Sequence, residues 1–317
     1  MTRVLITRPL PDRVLAEAER HFEVEVRDTN GPMKRSQLRA ALVLHDGILA
    51  TLGDLFDTTA FAEFNAPRCK IIANFGVGYN HIDAQAARGA GIAVTNTPGA
   101  VTDATADIAM TLILSTARRA GEGERLVRSG RWEGWHPTQM LGTHVSGKTV
   151  GIVGMGRIGQ AVAHRCHHGF GMEVLYTSRS AKQVPFPARR VELADLAARA
   201  DFIVVAVPGG AETRHMIGPE VLGAMRPRTI LINIARGDVV DEAALIAALS
   251  EGRIAGAGLD VYEDEPKVPE ALRGMQNVTL LPHLGTAALE VREAMGLMAV
   301  ENLRAFFAGD TPPNLVN

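Results

Sequence analysis

Cysteine is scarce. Only Cys69 and Cys166 occur among 317 residues, which excludes a disulfide framework and the paired spacing of a thiolate metal site. Two isolated thiols fit a reducing compartment, so the expected location is cytoplasmic. Charge of one sign is lacking too. Lys and Arg number 33 against 35 Asp and Glu, a formal net charge of -2. That balance gives no clustered cations to displace counterions from a phosphate backbone, and no nucleic-acid partner is expected. No apolar run approaches the ~20 residues that span a bilayer, so no membrane partner is expected either. Residues 1–10 carry Arg3 and Arg8 among apolar residues and read as a strand, not as a secretory segment.

What is present is an alternation. Up to Thr95, short apolar runs at residues 4–7, 22–26, 47–50, 71–74 and 92–95 alternate with amphipathic stretches such as 10–21 and 83–88. Strand and helix in alternation predict a parallel sheet covered by helices. A long helical stretch follows at 102–119. The polar segment 121–146 holds Trp132, Trp135 and Met140, and is expected to be an arm packed on another surface, such as a second subunit. From Thr149 the alternation restarts, with strand-like runs at 149–153, 173–177, 202–207, 230–234, 255–260 and 278–281. Those runs predict a complete doubly wound nucleotide-binding sheet. A final helix at 287–308 leads back toward the first region. The expected class is therefore α/β with two doubly wound, Rossmann-like domains: residues 1–98 with 286–317, and an inserted domain at 99–285.

Gly154-Met155-Gly156-Arg157-Ile158-Gly159 lies between a buried strand and a helix. Gly154 suits the tight turn, Gly156 lets a pyrophosphate approach the backbone, and Gly159 lets helix and strand pack closely. The amides at the helix start, at Arg157 and Ile158, then face the phosphates. An NAD-binding unit carries an acidic residue about 20 residues further on for the ribose 2′-hydroxyl. Here the strand ends in Ser178-Arg179-Ser180, which offers hydroxyls and a guanidinium suited to a 2′-phosphate. NADP(H) is the expected cofactor. NAD(H) would also serve if Arg179 were only a solvated loop residue.

Three segments follow strands of the second region: Ile234-Ala235-Arg236-Gly237, Glu263-Asp264-Glu265-Pro266 and Leu281-Pro282-His283-Leu284-Gly285. Ligands bind at such carboxyl ends in open α/β sheets. Arginine can hold a carboxylate or polarise a carbonyl, and histidine can pass a proton to an oxygen as hydride reaches carbon. A carboxylate beside the histidine would fix its tautomer and favour the protonated ring. Val207, Pro208, Ile234 and Ala235, at strand ends, join the candidate cofactor contacts.

At these residues the sequence resembles the D-isomer-specific 2-hydroxyacid dehydrogenases, in their glyoxylate and hydroxypyruvate reductase branch. The resemblance spans residues 74–83 (Asn74 to Asp83), 102–107, the fingerprint, 233–242, 258–261, 264–266 and 282–285. It implies a flavodoxin-like substrate domain beside the dinucleotide-binding domain. Arg236 is implied as the substrate-binding arginine, His283 as the acid-base, and Glu265, the residue before Pro266, as its partner. The resemblance further implies that the Val77 and Gly78 amides hold the substrate carboxylate, that Asp260 faces the nicotinamide carboxamide, and that Thr105 lies near the cofactor. Trp135 looks like the arm residue that reaches a neighbouring subunit's site in a homodimer, where its ring would favour small 2-oxo or 2-hydroxy acids.

Other readings fare less well. His164, Cys166, His167 and His168 suggest a metal, but no third ligand is evident, so no metal is expected. There is no Gly-x-Ser-x-Gly elbow for a serine hydrolase. Formate dehydrogenases of similar fold carry glutamine where Glu265 stands, and phosphoglycerate dehydrogenases often append a regulatory domain, which is not expected here. The alternatives left open are a dehydrogenase for a bulkier 2-hydroxy acid and a cofactor-sensing corepressor-like binding protein.

Overall fold

Apolar runs too short to be helices become strands wherever a helix covers each face. The computed structural model describes residues 1–62 and 67–317. The chain divides into one unit formed by Met1–Val101 with Thr286–Asn317 and another formed by Thr102–Gly285. The first boundary falls three residues later than the glycine at the Pro98-Gly99 break suggests.

The first unit runs β1 (Arg3–Ile6), α1 (Asp12–His21), β2 (Glu23–Val26), α2 (Arg35–Leu44), β3 (Gly47–Ala50), α3 (Thr58–Phe61), β4 (Ile71–Asn74), α4 (Ala84–Gly89) and β5 (Ala93–Thr95). Its sheet is parallel, in the order β2-β1-β3-β4-β5, the flavodoxin-like order. Side chains alternate across it. Leu5, Ile48, Ala50 and Ile72 pack with Leu38 and Leu42 of α2 on one face. Val4, Ile6, Leu49, Ile71 and Ala73 pack with Val14 of α1 on the other. Both faces being covered, β3 and β4 are wholly buried, whereas edge strand β2 exposes Glu23 and half-exposes its valines.

The second unit runs α5 (Thr102–Ala117), α6 (Ala120–Arg128), β6 (Thr149–Val153), α7 (Arg157–Phe170), β7 (Glu173–Thr177), β8 (Arg189–Arg190), α8 (Leu193–Arg199), β9 (Phe202–Val205), α9 (Pro219–Ala224), β10 (Ile230–Asn233), α10 (Glu242–Ser250), β11 (Gly256–Leu259), α11 (Glu270–Gly274) and β12 (Val278–Leu280). The chain then enters α12 (Leu289–Ala308), which packs on α1 and β4 of the first unit. The sheet is parallel, in the order β12-β11-β10-β9-β6-β7-β8. Strand order reverses between β6 and β9, the switch point where doubly wound sheets bind ligands.

Two local features differ from expectation. The helix expected over 102–119 stops at Ala117. Arg119 takes a left-handed φ of 53°, its guanidinium grips Glu122 at 2.7 and 2.8 Å, and a separate helix α6 begins. The seventh strand, β8, consists of two exposed arginines and has no apolar signature to read. Helix α7 runs to Phe170 and is capped by left-handed Gly171. In the arm, Trp132 is 52% and Trp135 79% exposed within the single chain. No helix of the described residues is long and apolar enough to cross a membrane.

Both cysteines are buried, and burial pushes each thiol up to about 12. At pH 8 only ~10⁻⁴ of either would be thiolate, the reactive form. Native protein should therefore yield no rapid reaction with a chromogenic disulfide reagent, and guanidinium-unfolded protein should yield two thiols. A fast native equivalent would contradict the burial.

Candidate active site

In the second unit the strand ends carry the polar groups. Asn233, the buried last residue of β10, accepts the Ala235 amide at 3.0 Å on its side-chain oxygen and donates to the Arg236 carbonyl at 3.0 Å. This side-chain turn reverses the backbone just where Arg236 must leave the sheet. The Arg236 Nη1 donates to the Ala235 carbonyl at 2.7 Å. Burial lowers the guanidinium's pKa, and the nearby Glu265 and Asp238 carboxylates oppose that. Gly237 comes next because nothing larger fits: a Cβ there would lie 1.8 Å from the Tyr262 carbonyl carbon.

That close approach joins the Arg236 turn to the loop after β11. Tyr262 is buried. Its amide donates to Glu265 Oε1 at 3.1 Å, and its hydroxyl donates to the Leu281 carbonyl at 2.9 Å. Glu265 Oε2 in turn meets His283 Nδ1 at 2.9 Å. Burial would raise the Glu265 pKa, but the His283 hydrogen bond and charge, the Tyr262 amide and the Arg236 charge outweigh it and hold the carboxyl below its ordinary value. Glu265 is thus ionised at neutral pH. It then accepts only, and Nδ1 must carry the proton.

His283 has a left-handed φ of 55°, a conformation costly for a side chain of this kind. Asp260 holds it there. The Asp260 carbonyl accepts the His283 amide at 2.9 Å, and its carboxylate accepts the Leu284 and Gly285 amides at 2.6 and 2.8 Å. Thr105, from α5, donates its hydroxyl to the Gly285 carbonyl at 3.1 Å. Asp260 and Thr105, two of the residues expected at the cofactor, thus also clasp the histidine loop. Asn233 and Tyr262 escaped the sequence reading. For the first, the available signals were an asparagine at a strand end before a turn and its place at the start of the family-like segment 233–242.

The fingerprint closes as its glycines require. Gly154 has φ +101°, and a Cβ on it would meet Ala206 and Val207 at 2.8 Å. A Cβ on Gly159 would lie 2.0 Å from the Gly154 carbonyl, whereas one on Gly156 would meet nothing within 4 Å. Gly156 caps α7 without a side-chain bond, so the first-turn amides at Arg157 and Ile158 are left for a ligand. Open space over Gly156 beside uncapped amides fits a pyrophosphate. Beyond β7, Ser178 donates to the Ser180 carbonyl at 2.7 Å, and Arg190 of β8 donates to the Ser178 and Arg179 carbonyls at 3.1 and 3.4 Å. The Arg179 side chain is 93% exposed, with Glu212 at 3.9 Å. The residues that follow β7, Ser178-Arg179-Ser180, include no carboxylate, which fits a phosphorylated ribose. Pro208 accepts Thr213 at 2.7 Å, and Ile234 and Ala235 are buried.

The remaining candidates sit elsewhere. Val77 and Gly78 form the half-buried turn after β4 in the first unit. His164 and His168 have ring centroids 4.5 Å apart and lie against Phe186 at 6.0 and 5.8 Å, a small aromatic cluster. Among the described residues no group of three metal-ligating side chains forms.

Residues 110–285 match the family described as D-isomer specific 2-hydroxyacid dehydrogenase, NAD binding domain. The chain belongs to this family. A glyoxylate reductase of Thermococcus kodakarensis is 48% identical, with 99% of this chain and 96% of that protein covered. A glyoxylate reductase of Pyrococcus furiosus is 46% identical, over 99% and 95%. Among solved structures, an NADPH-dependent glyoxylate/hydroxypyruvate reductase of Sinorhizobium meliloti, in complex with NADP and malonate, superposes with a TM-score of 0.89 at 37% identity, covering 99% of this chain and 96% of that one. As a 2-hydroxyacid dehydrogenase, the chain is an oxidoreductase whose second unit contains the family's NAD-binding domain.

Proposed function

We propose that this dehydrogenase reduces small 2-oxo acids, glyoxylate and hydroxypyruvate foremost, to D-2-hydroxy acids with NADPH preferred over NADH. The observation that carries the reading is the 2.9 Å contact between His283 and an ionised Glu265 at the strand ends of a dinucleotide-binding sheet. Names of the relatives support the substrate class. The Thr102–Gly285 unit takes the dinucleotide and the other unit contributes to the substrate. Gly154, Gly156, Arg157, Ile158 and Gly159 hold the pyrophosphate, Ser178, Arg179 and Ser180 the 2′-phosphate, and Thr105, Val207, Pro208, Ile234, Ala235 and Asp260 the nicotinamide half.

When bound, the cofactor supplies hydride to the 2-oxo carbon. His283 donates a proton to the keto oxygen through Nε2, because Nδ1 is committed to Glu265. Arg236 orients the acid through its fork of donors. The Val77 and Gly78 amides bind the carboxylate. Trp135, so exposed in one protomer, reaches the site of its partner in a homodimer. The two unreactive thiols accord with a cytoplasmic protein.

Initial rates of NADPH and NADH oxidation with glyoxylate, hydroxypyruvate, pyruvate and phenylpyruvate test the reading. Fast NADPH oxidation with the first two is expected. Faster turnover of phenylpyruvate would replace it with a bulkier substrate, and tight NADPH binding without turnover would point to a cofactor-sensing binding protein. Arg179→Asp should reverse the cofactor preference toward NADH. A variant that still prefers NADPH would move the 2′-phosphate contact elsewhere.

A further inference from the structure

The turn after β4 is held by side-chain amides. Asn74, at the end of β4 and buried, donates through Nδ2 to the Gly76 carbonyl at 2.9 Å and to the Gly78 carbonyl at 3.0 Å. Asn96, just past β5, donates through Nδ2 to the Val77 carbonyl at 2.9 Å. The Thr97 amide adds a second donor to the Gly76 carbonyl at 3.0 Å. Three successive carbonyls are thereby pulled onto asparagines. In a trans peptide the carbonyl and the following N–H point in opposite directions. The amides of Val77, Gly78 and Tyr79 are therefore each turned away from the asparagine that holds their own peptide.

Asn96 itself has little freedom. Its amide donates to the Asn314 carbonyl at 3.2 Å, and its carbonyl accepts Nδ2 of Asn302, a fully buried residue of α12. Asn302 also accepts the Asn314 amide at 3.1 Å. The C-terminal helix and tail thus brace the residue that braces the turn. Asn74 also carries a cost, since its Oδ1 is buried with no partner among the described residues. An apolar residue would avoid that penalty but could not hold the two carbonyls.

We infer that Asn74 and Asn96 are positioning residues that set the Val77–Gly78–Tyr79 amides as a rigid anion-binding row for the carboxylate of the 2-oxo acid. This rests on the proposed role of the Val77 and Gly78 amides. Concave rows of successive backbone N–H groups bind anions, and their strength depends on being fixed before the anion arrives. Losing one brace should weaken carboxylate binding alike in the ground and transition states. Such a loss raises KM and leaves kcat nearly unchanged.

The test compares the wild type with Asn96→Ala, Asn96→Asp and Asn74→Ala. For Asn96→Ala, KM for glyoxylate and Ki for oxamate, an unreactive 2-oxo acid analogue that keeps the carboxylate, should rise together by about tenfold, kcat should change by less than about threefold, and NADPH Kd and Tm should stay near wild type. Asn96→Asp, which offers no donor and adds a negative charge, should raise both further. Asn74 lies in the core, so if Asn74→Ala fails to fold the two Asn96 variants decide. Unchanged KM and Ki in a folded Asn96→Ala, with an active wild type, would overturn the bracing role. A wild type that binds NADPH but reduces no 2-oxo acid would instead overturn the functional reading beneath it.

Discussion

His283→Ala is expected to lower kcat for glyoxylate reduction by about 10² to 10⁴ while NADPH affinity stays near wild type. The size follows from how much structure serves one ring. Asp260 accepts the amides of residues 283–285 and holds His283 at φ 55°, and Glu265 fixes the proton on Nδ1. The ring lies in the loop after β12, outside the strand pairing of the sheet, so removing it should cost chemistry more than stability. Stopped-flow turnover and fluorescence titration with NADPH separate the two. Undiminished turnover would remove His283 from the acid-base role. The pH sign is also defined: the Glu265 carboxyl lies below its ordinary value, so its pairing is complete above that value and is lost only as pH falls through the depressed one.

Gly159→Ala should be damaging by a different route. Its Cβ would sit 2.0 Å from the Gly154 carbonyl and 3.1 Å from Ile152, both in the framework that aims the first amides of α7. Backbone cannot yield as a side-chain tip can, so overpacking of roughly 1–3 kcal/mol is expected. NADPH affinity should fall at least about tenfold as those amides move. Gly156→Ala provides the contrast. Its Cβ meets nothing within 4 Å, so Tm should hold while dinucleotide binding falls, because the space it fills is the ligand's. Calorimetry on both variants checks the pair, and a Tm loss for Gly156→Ala alone would reverse the assignment of the two glycines.

Much of this was legible in one dimension because burial has a period. Val150, Ile152, Val204 and Ile232 read as strand residues since each must alternate between two covered faces, and the fingerprint read as a ligand turn since three glycines satisfy three separate steric demands. The strand ends carrying Arg236, Glu265 and His283 followed from that pattern, although choosing Glu265 over Glu263 required the family resemblance. Polar details behaved differently. Strand β8 has no apolar residue to betray it, and the break between α5 and α6 falls at Arg119, whose left-handed φ has no apolar signature either. Asp260 reaches residues 284 and 285, Tyr262 reaches 281, and Asn96 reaches 77. Hydrophobic periodicity records which face of an element is buried, so sequence alone determined the apolar strands, most of the helices and the end of the sheet where a ligand is expected. Hydrogen bonds between residues distant in the chain have no period, and only the folded backbone decided which carbonyls and amides each polar side chain would hold.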